Sequence, residues 1–138
     1  ALRQGNGGTG LAGLPEGIED VRLRPPAKER NMKKLHHIGM PTKVKKANEK
    51  YLADAKVFIT DADDSDHRIE WLRFEAGSPM PRLLQTTTHI AYVVDNIEKE
   101  MKGKKVLAKP YSPVKGLTVG FIVDEGVPIE FMQVAKCK

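Results

Sequence analysis

Duplication limits what this chain can fold into more than any other feature. His37-Ile38-Gly39-Met40 opens a phrase that closes on Ile69-Glu70-Trp71-Leu72, and His89-Ile90-Ala91-Tyr92 opens a second that closes on Ile129-Glu130-Phe131-Met132. The openings lie 52 residues apart and the closings 60, so the second copy holds eight more residues in its middle. A repeat of this period marks one supersecondary unit used twice.

Each copy sets a histidine near its start and a glutamate near its end into mostly apolar, strand-like sequence. Strand side chains alternate between faces, and burying such groups without partners costs on the order of several kcal/mol. If the two units face each other, His37, Glu70, His89 and Glu130 converge, and two imidazoles with two carboxylates form a nitrogen and oxygen set suited to a divalent transition metal. The plainer reading makes each a solvent-facing or locally satisfied strand residue, and no H-E-x-x-H or paired C-x-x-C spacing is present. The duplication is what favours the shared site. Parity puts His89 with Ala91 and Val93, puts Glu130 with Met132, and turns His36 to the face opposite His37.

Along the chain, residues 1–31 are rich in glycine and carry Pro25-Pro26, which reads as an appended arm. Gly7-Gly8-Thr9-Gly10 within it has no following Gly-Lys-Ser/Thr and no preceding strand, so it is not a phosphate loop. Met32 is a candidate natural start, and residues 32–138 form one domain. Leu35 to Met40 is the first strand. Thr42 is placed to cap a helix carrying Val44, Ala47, Tyr51 and Leu52 at helical spacing. Val57 to Thr60 and His67 to Phe74 are strands around the acidic run 61–66. That run starts like a calcium loop, but it lacks a glycine at its sixth position and a glutamate at its twelfth, where Leu72 sits. Residues 77–84 connect the halves. Strand His89 to Val94 follows, then a short helix with Ile97 and Met101, with Asp95 and Glu98 as a capping box and Gly103 as its stop. Lys105 to Leu107 is a strand, residues 110–116 a loop, and Leu117–Val123 with Val127–Val134 a hairpin across Asp124-Glu125-Gly126. The second half thus reads strand, helix and three strands, and the first the same with one strand missing or reduced.

The 138 residues suffice for one domain with its own core. Cys137 is the single cysteine, so no intramolecular disulfide forms. No apolar run approaches the length of a membrane span and no signal-peptide pattern opens the chain, so a cytoplasmic protein is expected. The net charge of +5 comes from scattered lysines, and only 6% of residues are aromatic, which argues against a nucleic-acid partner.

These segments together resemble the vicinal-oxygen-chelate superfamily, the fold of glyoxalases, bleomycin-resistance proteins and extradiol dioxygenases. The resemblance covers residues 33–134 and rests on His37-Ile38-Gly39, on His89-Ile90-Ala91-Tyr92-Val93-Val94-Asp95, and on Gly120-Phe121-Ile122 through Pro128-Ile129-Glu130-Phe131. It implies an α+β fold in which two βαβββ-type units, the first shortened, form a curled mixed sheet with a metal at the floor of its cup. It implies His37, His89 and Glu130 as metal ligands with Glu70 as a fourth, Glu130 or Glu70 as catalytic base, and zinc, nickel, manganese or iron as cofactor. The activity implied is glyoxalase-like, a metal-dependent lyase or isomerase acting on a small oxygenated metabolite, anions among the candidates. Arg73, Arg82, Lys109 and Lys115 are candidates for receiving an anion. The alternatives are a non-catalytic drug or metabolite binder with an aromatic cleft drawn from Trp71, Tyr92, Phe121 and Phe131, and an iron dioxygenase. A homodimer is expected.

Overall fold

The computed structural model describes residues 33–135; the expected arm, Met32 and Cys137 lie outside them. The first half contributes β1 (Lys34–Pro41), β2 (Lys50–Leu52), β3 (Val57–Ile59) and β4 (Ile69–Phe74). A short helix, α1 (Arg82–Thr86), lies in the connection. The second half contributes β5 (His89–Val93), α2 (Ile97–Met101), β6 (Lys105–Val114), β7 (Leu117–Asp124) and β8 (Val127–Val134). The eight strands form one mixed sheet in the order β2-β3-β4-β1-β5-β8-β7-β6.

That order is the same read from either end once β1 is matched with β5, β4 with β8, β3 with β7 and β2 with β6. The opening strand of each half pairs parallel with its closing strand, Gly39 facing Glu70 and Ala91 facing Glu130. The openings pair antiparallel with each other: Ile38 faces Ile90, His37 faces Ala91 and Gly39 faces His89. A pseudo-two-fold axis therefore passes through the Ile38–Ile90 pair. Leu52 from one end of the sheet and Tyr111 and Val114 from the other line one cavity, so the sheet is curled into the α+β cup that the resemblance implies.

Inside the cup, Leu84, Ala91, Val119, Phe121 and Met132 pack as one cluster; on the outer face of the second half, Val94, Ile97, Met101, Ile122 and Phe131 form another. Short α2 is held by that packing, because five residues are too few for a helix to be stable alone. Its N-cap is Asn96, whose side chain accepts from the Lys99 N–H, and not Asp95. The Ile97 N–H donates to Gln133 Oε1 at 2.8 Å, which ties the helix to β8. At the β7–β8 turn both Glu125 and Gly126 have positive φ, as a two-residue hairpin turn of the favoured hand requires.

Other expectations need correction or sharpening. No helix follows Thr42: its Oγ1 accepts from the Val44 N–H two residues on, Asn48 takes φ 62°, and Tyr51 pairs with Phe58 in a strand. The first half keeps all four strands, two of them, β2 and β3, reduced to three residues each as one reading had it, and what it lacks beside them is the helix. The segment read as a loop over 110–116 continues β6 to Val114 through irregular register. Pro110 and Pro113 are tolerated there because β6 is an edge strand, where a missing N–H interrupts no central ladder. No helix among the described residues is long and apolar enough to cross a membrane.

Candidate metal centre

The register described above puts the four repeated polar residues on the inner face of the central strands. His37 and Glu130 flank Ala91, and His89 and Glu70 flank Gly39. Both intervening residues are small, which leaves room for the imidazoles to lean over the strand between them. At Gly39 the need is sharp: a Cβ there would lie 2.0 Å from His89 Cε1.

The side chains meet. His37 Nε2 is 3.3 Å from Glu130 Oε1 and 3.4 Å from Glu70 Oε1; His89 Nε2 is 3.0 Å from Glu130 Oε1 and 3.4 Å from His37 Nε2. His37, His89 and Glu130 each offer a ligand atom within 4.8 Å of the others, and all three are buried. With metal–ligand bonds of about 2.1 Å, neighbouring donor atoms stand about 3.4 Å apart on a tetrahedron and about 3.0 Å on an octahedron. The observed separations span that interval, so these residues fit a divalent cation. Glu70 stands at the margin of the cluster, touching His37 alone, with its side chain 20% exposed against 9% for Glu130.

In the metal-free protein, protons supply the positive charge. Burial presses His37 down, but hydrogen bonds to Glu130 and Glu70 outweigh it and push the imidazole up to about 9. Burial presses Glu130 up, and the hydrogen bonds from His37 and His89 overcome it, holding the carboxyl down at about 2. Both residues are thus charged near neutrality, an arrangement a cation would replace by displacing the imidazolium proton.

Parity misplaced His36. A bulge between Leu35 and His37 sets two residues of β1 against one of β5, and such a bulge re-aims side chains that simple alternation would send apart. His36 Nδ1 consequently lies 2.8 Å from His37 Nδ1, and the ring borders the same cavity. Arg68 anchors the bulge: its Nε donates to the His36 carbonyl at 2.8 Å, while its Nη1 pairs with Asp63. The acidic run thus serves as a counter-charge for this arginine. A ligand histidine commonly has its other nitrogen held by a hydrogen bond, and His36 does this for His37. His89 Nδ1 is buried without such a partner among the described residues.

Over this floor lies a cavity of about 230 Å³. A larger groove of about 590 Å³ runs over Thr42, Glu75 and Arg82, but no member of the His/Glu cluster borders it, so the chemistry belongs to the smaller one. Tyr111 also borders the cavity; burial, then the negative charge of Glu130 and Glu70, push its phenol up to about 12, which keeps it a neutral hydroxyl. None of the candidate anion receivers lines the cavity. Arg73 points to the outer face, where it is bidentate to Glu49 at 2.8 and 2.7 Å, Arg82 borders the other groove, and Lys109 and Lys115 are exposed. Of the candidate cleft aromatics only Phe121 borders the cavity, its ring edge-on to His89 at 5.5 Å. Phe131 and Tyr92 pack on the outer cluster, and Trp71 lies under Lys46.

No family model and no curated relative matches the chain. Among solved structures, a hypothetical protein from Bacillus halodurans C-125 superposes with a TM-score of 0.56 over 77% of this chain and 97% of its own, at 22% identity. That likeness shows the fold. A methylmalonyl-CoA epimerase from Mycobacterium tuberculosis overlaps 75% of this chain and 89% of its own, with a TM-score of 0.49 and 14% identity.

Proposed function

We propose that this chain is a metal-dependent enzyme of the lyase or isomerase type, built like the vicinal-oxygen-chelate proteins and acting on a small molecule with two adjacent oxygens. The observation that carries this reading is the convergence of His37 Nε2, His89 Nε2 and Glu130 Oε1, all buried, at the floor of a cavity. These three residues would hold the cation. A divalent cation bound there would polarise a substrate carbonyl and lower the cost of removing the neighbouring proton.

The chain's own groups supply the rest. Glu70, the more exposed carboxylate and the one at the margin of the cluster, is the base that takes and returns the proton. Tyr111, held neutral, donates a hydrogen bond to developing negative charge on the substrate. The aliphatic walls exclude water and strengthen both interactions.

Protein purified without chelator should contain about one equivalent of zinc, nickel, manganese or iron by elemental analysis. Adding the same ions to stripped protein should raise the Tm. Loaded protein should also exchange deuterium from solvent into the carbon beside the carbonyl of a small 2-hydroxy ketone. If no metal is found and none of the four ions moves the Tm, the reading is wrong.

A further inference from the structure

The walls of the cavity say what kind of molecule the site accepts. Above the His/Glu floor they are formed by side chains such as Val57, Leu72, Met80, Leu84, Val119 and Met132, and among the described residues no lysine or arginine lines it. The polar side chains that border it are the three histidines, the two glutamates and Tyr111. Two carboxylates and a divalent cation sum to no net charge. A second anionic group on the ligand, beyond the oxygens at the metal, would then be desolvated with no cation to pair it, and an unpaired buried charge is strongly unfavourable. None of the four residues that could have received an anion lines the cavity. The volume of about 230 Å³ is below the ordinary range for drug-sized ligands.

Resting on the metal-site reading above, we infer that the ligand is a compact molecule with an uncharged aliphatic or aromatic body, which presents two adjacent oxygens to the floor and carries no phosphate, nucleotide or distal carboxylate. Affinity comes from two separable sources. Chelation fixes the oxygens, and apolar burial against Met80, Leu84, Val119 and Met132 selects the body. Each methylene added to the body should improve binding by about fourfold until the cavity is full. A charge at the far end should cancel that gain.

Alkyl hydroxamates test this, because they offer two adjacent oxygens on a tail of any length. Zinc-loaded protein is titrated calorimetrically with acetohydroxamate, butanohydroxamate, hexanohydroxamate and the monohydroxamate of adipic acid. The expected series tightens from the two-carbon to the six-carbon tail, with the carboxylate-ended compound at least tenfold weaker than hexanohydroxamate. Affinity independent of tail length, stronger binding of the carboxylate-ended compound, or no hydroxamate binding by protein that holds zinc would overturn this inference and leave the metal site standing. Protein that takes up no zinc would instead sink the reading beneath it.

Discussion

The two halves share a strand order and an inner face but cover their outer faces by different physics. In the second half α2 lays Ile97 and Met101 over Ile122 and Phe131, an apolar lid on an apolar sheet. In the first half the segment that replaces the helix is pinned to its sheet by charge. Lys46 Nζ sits 4.1 Å from the centre of the Trp71 ring, Glu49 grips Arg73, and that guanidinium lies 4.2 Å over Phe58. Trp71 and Phe131 occupy matching places in the repeat, so one sheet position has accepted two kinds of cover. The inner face has not drifted in the same way: a histidine, a small residue two places on and a glutamate opposite it recur in both halves. Strand register sets the site, and the covers are free to vary.

Several substitutions probe this contrast. Ile97→Ala should destabilise by about 2–5 kcal/mol in denaturant unfolding, as for a buried aliphatic truncation, whereas Lys46→Ala should cost about 0.5–1 kcal/mol, typical of an exposed cation–π contact. Equal losses would mean that the charged cover carries as much of the fold as the helix. On the inner face, Glu130→Gln should weaken metal binding on the order of 100-fold or more, because it removes a buried ligand. Glu70→Gln should keep metal affinity within about tenfold of the parent while suppressing proton exchange. Matching effects of the two in calorimetry would restore the symmetry that the geometry breaks.

Gly39→Ala should cost about 1–3 kcal/mol through overpacking and displace His89, read as lost metal affinity. Ala91→Gly, its counterpart across the axis, should cost about 1 kcal/mol and leave the metal bound. His36→Ala should lower metal affinity by about tenfold, the scale of a lost hydrogen bond behind a ligand; a calorimetric titration unchanged by this substitution would make the bulge incidental.

The pH dependence of stability is a further readout of the inner face. His37 is raised from 6.5 to about 9 on folding, so its contribution to metal-free stability is complete below about 6.5 and is lost as pH rises through about 9. Glu130 is lowered from 4.5 to about 2, so its share is present above about 4.5 and is lost as pH falls through about 2. The Tm of metal-free protein should therefore decline from pH 6.5 toward 9, while the rise produced by added metal should grow over the same range. A metal-free Tm that climbed through that window would contradict the assignment of His37.

Much of the inner face was legible in the sequence because alternation and duplication reinforce each other there: His37, His89 and Glu130 lie where the repeat puts them. The β7–β8 hairpin was legible for a similar reason, with two long apolar runs around a turn that ends in glycine. The outer cover of the first half was not. Val44, Ala47, Tyr51 and Leu52 match a helical period by spacing alone, over a stretch too short for the match to discriminate. The hairpin pairing of Tyr51 with Phe58 and the ion pair of Glu49 with Arg73, distant in sequence, decide its structure. His36 was misread because parity assumes an unbroken ladder, and the bulge is stabilised from thirty-two residues away by Arg68. The α1 turn after Pro81 and the length of β6 were missed because prolines read locally as interruptions, although one precedes a helix and two lie on a sheet edge.

The antiparallel pairing of β1 with β5 has a consequence for how the molecule holds together. His37 belongs to the first half but leans across Ala91 toward the second half's carboxylate, while His89 of the second half leans across Gly39 on the first. The first half lends its imidazole to the histidine and carboxylate of the second, so neither possesses a complete coordination sphere alone. An ion seated at their crossing would act as a buckle. Two fragments severed within residues 77–81 should be drawn back together by zinc, and the tightness of their reunion would gauge the strength of the clasp.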